Sequence, residues 1–211
     1  MSADFAPGDT SHKVLVVDDD HSVRDSLSRL LRSAGHPVDT FASAAQLMAA
    51  PLPQVPSCLL LDVQLPGSCG FEVQRQLAAR GATLPVIFMT GHGDIPMTVR
   101  AMKAGAVDFL PKPFRDQQLL DAVDSALHTS RQHHHAQADA AQLRVRYAQL
   151  TERERQVMHR AASGLMNKQI AGELGLSEIT VKIHRARAMK KMAATSFAEL
   201  VVMSRSLSST A

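Results

Sequence analysis

Short apolar runs alternate with helix-patterned segments through the first 127 residues, and that alternation constrains the fold more than any other feature of the chain. Val14–Val17 precedes a helical pattern at Ser22–Ala34, Cys58–Leu61 precedes Phe71–Ala79, Val86–Thr90 precedes Pro96–Ala104, and Asp108–Pro111 precedes Arg115–Leu127. A shorter strand at Pro37–Phe41 and a helix at Ala44–Ala49 complete a five-fold βα count. Parallel strands need crossover connections, and crossover helices bury their apolar stripe on the sheet. The expected fold is therefore α/β, a doubly wound five-stranded parallel sheet with helices on both faces.

A chain of 211 residues leaves room for a second core beyond such a sheet. Its charge is unevenly divided. Residues 1–127 carry 10 Lys/Arg against 14 Asp/Glu, a balance of −4, while residues 128–211 carry 13 against 6, a balance of +7. An acidic body with a basic C-terminal part is what a nucleic-acid-binding module joined to a non-binding one shows, although a solvated basic face gives the same count. Cys58 and Cys69 lack the spacing of a zinc site or a disulfide framework, which suits a reducing cytoplasm. No apolar run reaches the roughly 18 residues of a membrane span. The start MSADFAPGDTSHK has no apolar signal-peptide core, so a cytoplasmic protein without a membrane partner is expected.

Residues 128–150 contain no Pro or Gly and are rich in Ala, Gln and Arg, so a largely helical linker is expected there. Its His133, His134 and His135 are consecutive and do not share one helix face, and they read as solvated. Thr151-Glu152-Arg153-Glu154 has the form of a capping box, starting a helix that buries Val157, Met158 and Ala161 and ends at Gly164. Asn167–Met192 then reads as helix, tight turn, helix. Ile170, Ala171 and Leu174 supply the first apolar face, Gly175 the turn, Ser177 the cap, and Val181 the return to the core. The expected layout is a disordered N-terminus at 1–11, an α/β domain at 12–127, a helical linker at 128–147, and an all-α helix-turn-helix domain at 148–211.

Asp18, Asp19 and Asp20 follow one apolar run directly, and Asp62 follows another. If those strands are neighbours, carboxylates converge at the carboxyl edge of the sheet, where open α/β folds place their sites. Converging carboxylates repel unless a cation lies between them, and an oxygen-only set suits a hard divalent ion such as Mg2+. Such an ion makes a carboxylate competent to accept a phosphoryl group. Thr90 and Lys112, at two further strand ends, offer a hydroxyl and a compact positive charge to phosphoryl oxygens. Taken singly, the aspartates also read as helix and turn caps. Their joint placement at four strand ends favours a site.

The segments Val16-Val17-Asp18-Asp19-Asp20, Leu61-Asp62-Val63-Gln64-Leu65-Pro66-Gly67 with Gly70, Met89-Thr90-Gly91-His92-Gly93-Asp94, and Ala101 through Phe114 resemble the receiver domains of two-component signalling. The last two resemble the FixJ type in particular. The resemblance implies a flavodoxin-like receiver in which Asp62 is the phosphoacceptor. It implies that Asp19, Asp62 and the main-chain carbonyl of Gln64 ligate Mg2+, with Asp18 supporting the metal through water. It further implies that Thr90 and Phe109 form a switch pair, that Lys112 contacts the phosphate, and that Lys112-Pro113 is a cis peptide. Asp20 stands where Glu is frequent in the family.

Leu150 through Val157, Gly164, Asn167 through Ala171, and Thr180 through Arg185 resemble the LuxR/NarL type of helix-turn-helix domain, over about residues 148 to 204. By that resemblance Lys182 and Ile183 face the bases. Thr180, His184, Arg185, Arg187 and Lys190 are phosphate or base candidates, and Ala186 occupies a position where some relatives carry a basic residue.

The function these resemblances imply is that of a response regulator transcription factor. A sensor histidine kinase phosphorylates Asp62, and a surface including Val99 and Lys103 then pairs two copies, which bind promoter DNA and meet RNA polymerase. The chain is expected to be no enzyme beyond slow self-dephosphorylation. Mg2+-dependent phosphatases of the haloacid dehalogenase type also use a strand-end Asp, but they carry a general-acid Asp two residues on, where this chain has Gln64. A DNA-binding protein with a silent receiver is the third reading, and the complete Asp, Thr and Lys set speaks against it.

Overall fold

The computed structural model describes residues 12–91 and 95–208. The expected disordered N-terminus at 1–11 and the His92-Gly93-Asp94 part of the third motif lie outside the described residues. The chain divides after His135 into two compact units.

The first unit is built on β1 (Lys13–Val17), β2 (Val38–Phe41), β3 (Ser57–Asp62), β6 (Val86–Thr90) and β7 (Asp108–Pro111), all paired in parallel in the order β2-β1-β3-β6-β7. Every residue of β3 and β6 is buried, as befits central strands covered on both faces, whereas the edge strands β2 and β7 each leave residues partly exposed. Successive strand residues point to opposite faces and so feed two cores. Val14, Val16, Leu60 and Ile87 pack with Leu27 and Leu31 of α1 (His21–Ser33) and Leu119 and Val123 of α5 (Asp116–Ala148). Leu15, Val17, Leu59, Leu61 and Phe88 pack with α2 (Ala44–Ala49), α3 (Gly70–Ala79) and α4 (Ile95–Lys103). The strand order reverses direction between β1 and β3, the position at which such sheets open a crevice at their carboxyl edge.

One element was not expected from the sequence. β4 (Gln64–Leu65) and β5 (Ser68–Cys69) form a two-stranded hairpin whose turn holds Pro66 and Gly67, the latter at φ +73°. The segment 128–147, expected to be largely helical, lies within the 33-residue α5.

In the second unit Thr151 caps α6 (Glu152–Ala162) with the reciprocal Thr151–Glu154 bonds of a capping box. Gly164 at φ +90° follows that helix. α7 (Asn167–Leu174) ends at Gly175 in the left-handed region, Ser177 caps α8 (Glu178–Met192), and α9 (Phe197–Ser208) closes the unit. Val157, Ala161, Ile170, Ala171 and Val181 form one core, and Leu150, Met158, Ala188, Met192 and Leu200 another. The last turns of α5 join this second core through Leu143 and Tyr147. The Tyr147 hydroxyl bonds His159 Nε2 at 2.7 Å, and His159 Nδ1 lies 3.3 Å from the Ser204 hydroxyl. Among the described residues no helix is long and apolar enough to cross a membrane.

Candidate functional site

The strand ends of the first unit bring Asp18, Asp62 and Lys112 together. Asp18 is 1% exposed and Asp62 7% exposed. Lys112 Nζ donates to Asp18 Oδ2 and to Asp62 Oδ2, each at 2.6 Å. Main-chain amides occupy the other carboxylate oxygens, Asp20 N donating to Asp18 Oδ1 at 2.9 Å and Gln64 N to Asp62 Oδ1 at 2.8 Å. Burial pushes the Asp18 carboxyl up from its usual range, against the Lys112 and Asp20 hydrogen bonds. Burial also disfavours the Lys112 ammonium, but the hydrogen bonds and charges of Asp18 and Asp62 outweigh it and hold Lys112 above its ordinary value.

Asp19 is exposed, and one of its carboxylate oxygens lies within 4.8 Å of oxygens from Asp18 and Asp62. This oxygen-only donor set fits a hard divalent cation. Asp20 turns away. Its carboxylate accepts from Ser22 N at 2.7 Å and from Ser22 Oγ at 2.6 Å, which makes it the N-cap of α1 and lowers its pKa. The capping and the site readings of the acidic run thus apply to different residues.

Thr90 is fully buried at the end of β6, and its carbonyl accepts from Lys112 N at 2.7 Å. Phe109 is buried in the core beside Phe88, its partner in register across β6 and β7. Lys112-Pro113 is cis. Val99 and Lys103 are exposed on α4.

Two residues acquire roles that spacing does not announce. Arg24 Nη1 donates to the Asp18 carbonyl at 2.7 Å and so ties α1 to the end of β1. Gly70 leaves no space for a side chain, because a Cβ there would meet the Asp62 carbonyl oxygen at 2.6 Å.

In the second unit, Lys182, Ile183, Arg187 and Lys190 are exposed on α8, while Thr180, His184 and Arg185 are half-buried. The Thr180 and Ser177 hydroxyls share a 2.8 Å hydrogen bond. The Arg185 guanidinium lies 3.9 Å from the Phe197 ring centroid and donates to Asn167 Oδ1 at 3.3 Å, so its charge is engaged within the fold. Lys191, on the same helix, is drawn inward. Its Nζ donates to the buried Glu154 at 2.6 Å and to the Gln149 carbonyl at 3.2 Å.

A parallel sheet with a carboxylate and lysine pocket, followed by a helix-turn-helix unit, defines a receiver joined to a transcription regulator. The family model of the response regulator receiver domain matches residues 14–124, and that of bacterial regulatory proteins, luxR family, matches residues 148–204. Nodulation protein W of Bradyrhizobium diazoefficiens is 55% identical over 92% of this chain and 86% of that protein. Transcriptional regulatory protein FixJ of Azorhizobium caulinodans is 46% identical over 90% of each chain. The solved structure of response regulator StyR is 49% identical, with a TM-score of 0.81 over 93% of this chain and 99% of that one. The chain therefore belongs to the two-component response regulators that join a receiver to a LuxR-type DNA-binding domain, and its function is transcription regulation. The FixJ-type resemblance holds, and FixJ and StyR are both named as regulators.

Proposed function

We propose that Asp62 accepts a phosphoryl group from a phosphohistidine on a sensor histidine kinase, and that this transfer controls binding of the second unit to promoter DNA. The observation that carries the reading is the Lys112 ammonium 2.6 Å from both Asp18 and Asp62. It joins a candidate nucleophile, a supporting carboxylate and a phosphate-neutralising cation in one pocket.

An Asp62 carboxylate oxygen attacks phosphorus, the phosphorus–nitrogen bond breaks, and the kinase imidazole leaves. Asp19, Asp62 and the Gln64 carbonyl would hold Mg2+, with Asp18 as the supporting carboxylate, and the ion would supply positive charge against the transferred group. The Thr90 hydroxyl donates to one phosphoryl oxygen and Lys112 to another. Thr90 moves toward the phosphoryl group and Phe109 follows, which reshapes the α4 and β7 surface. Two copies pair there, around Val99 and Lys103, and present two recognition helices to two half-sites. Lys182 and Ile183 read bases, while Thr180, His184, Arg185, Arg187 and Lys190 supply phosphate or further base contacts.

In this reading the receiver spans 12–127, the linker 128–147 and the DNA-binding domain 148–211. The protein works in the cytoplasm alongside RNA polymerase and dephosphorylates itself only slowly. Treating the full chain and Asp62→Asn with a small phosphodonor and Mg2+ tests the reading by mass spectrometry. One phosphoryl mass gain is expected in the parent and none in the variant. A persistent gain in Asp62→Asn overturns the assignment.

A further inference from the structure

The outward face of α8 carries an unusual combination for so basic a helix. Ile179 is 71% exposed and Ile183 45% exposed, among only seven large apolar side chains that stand out from the described surface. Residues four apart share a helix face, so these two isoleucines are neighbours, and Ala186, also exposed, lies three residues further along the same stripe. Lys182 flanks the stripe, and the exposed Arg187 and Lys190 continue it toward the helix C-terminus. Large aliphatic groups held in water lose the free energy that burial returns, so such a face is expected to meet an apolar surface. The basic residues around it require that surface to be set in a polyanion. A DNA major groove satisfies both conditions, because thymine presents its C5 methyl group there between two phosphate backbones.

We infer that Ile179, Ile183 and Ala186 form a methyl-reading stripe that selects thymines within the half-site. The inference rests on the proposed DNA-binding role of α8 and adds the chemical class of base edge read, with Ile179 as a further specificity residue. At about 1.5 Å rise per residue, the seven steps from Ile179 to Ala186 span about 10 Å, or three base-pair steps of roughly 3.4 Å. The stripe therefore reaches methyl groups on two or three neighbouring base pairs. The small, exposed Ala186 lets the methyl surface continue.

The test selects duplexes from a random pool with the phosphodonor-treated full chain, then replaces each thymine of the selected site in turn by deoxyuridine, which lacks only the C5 methyl. Burial of one methyl corresponds to a loss of about three- to fivefold in affinity per replaced base. Ile179→Ala, a change at an exposed position that leaves the core intact, should remove the uridine sensitivity at one position, and Ile179→Val should retain most of it. Sequence selection by the parent with no uridine effect overturns the inference while leaving DNA reading by α8 in place. No sequence selection at all overturns both. Ile179→Ala weakening self-association of the treated chain without DNA would assign the stripe to a second copy and overturn the inference as well.

Discussion

The Cα of Gly70 packs so closely on Asp62 that a methyl group there would stand 2.6 Å from the Asp62 carbonyl oxygen. Backbone meets backbone at this point, with Phe88 also close, so no flexible side chain can yield. Gly70→Ala is expected to lower stability by about 1–3 kcal/mol, the usual cost of overpacking. It should also slow labelling by a small phosphodonor, because relief of the clash moves the Asp62 backbone. Denaturant unfolding and labelling rates together check this. An unchanged labelling rate would show that the strain is absorbed on the α3 side.

Lys112 and a divalent cation would share the same carboxylates. Lys112→Ala is therefore expected to bind Mg2+ more tightly than the parent, and Asp19→Ala more weakly, in a calorimetric titration. Without metal, Lys112→Ala leaves Asp18 buried beside Asp62 with no cation, and a loss on the order of 1–3 kcal/mol is expected. Unchanged Mg2+ affinity in Asp19→Ala would place the ion elsewhere.

At the far end of the sheet His36 is buried, its Nδ1 3.0 Å from His12 Nε2 and its Nε2 3.8 Å from Asp124. Burial lowers its pKa below the ordinary 6.5, more than Asp124 raises it, and Arg131 adds to the lowering. In the range just below 6.5 the unfolded chain holds a proton that the folded chain refuses. This contribution to stability is therefore complete above that value and is lost as pH falls below it. Thermal unfolding of the parent should weaken more between pH 7.5 and pH 5.5 than that of His36→Gln. Equal losses would assign the pH dependence to other groups.

Basic residues on α8 should divide by role. Arg187→Ala or Lys190→Ala is expected to weaken operator and random duplexes alike and to reduce the salt slope by roughly one unit. Lys182→Ala should cost about 1–3 kcal/mol on the selected duplex and much less on random DNA. Arg185→Ala should in addition lower the melting temperature, since its guanidinium stacks on Phe197 and bonds Asn167. Binding titrations at several salt concentrations, with melting curves, separate the three patterns.

The strands were legible because Val14–Val17, Leu59–Leu61 and Val86–Met89 are buried on both faces and so read as unbroken apolar runs. The convergence of Asp18 and Asp62 followed from strand ends. The place of Lys112 at a further strand end followed in the same way, whereas its direct 2.6 Å contacts with both carboxylates belong to the assembled fold. Gly70 stands in the receiver motif, but the approach to Asp62 that requires a glycine there, like the bond from Arg24 to the Asp18 carbonyl, is a property of the assembled fold. Charge was legible on α8, but its partners were not. Arg185 and Lys191 count as positive in the sequence, yet one stacks on an aromatic ring and the other neutralises the buried Glu154. The β4–β5 hairpin is two residues per strand, too short for any periodicity to declare it.

The bond from Tyr147 to His159 bears on how such chains can be recombined. The luxR-family match begins at 148, yet the core behind it is completed by Leu143 and Tyr147 from the helix upstream. A graft joined at 148 would sever the second unit from its own closing side chains and leave His159 facing a foreign residue. A graft joined before Leu143 would carry them along. The self-sufficient unit is thus longer than the family match, and its seam lies inside a helix.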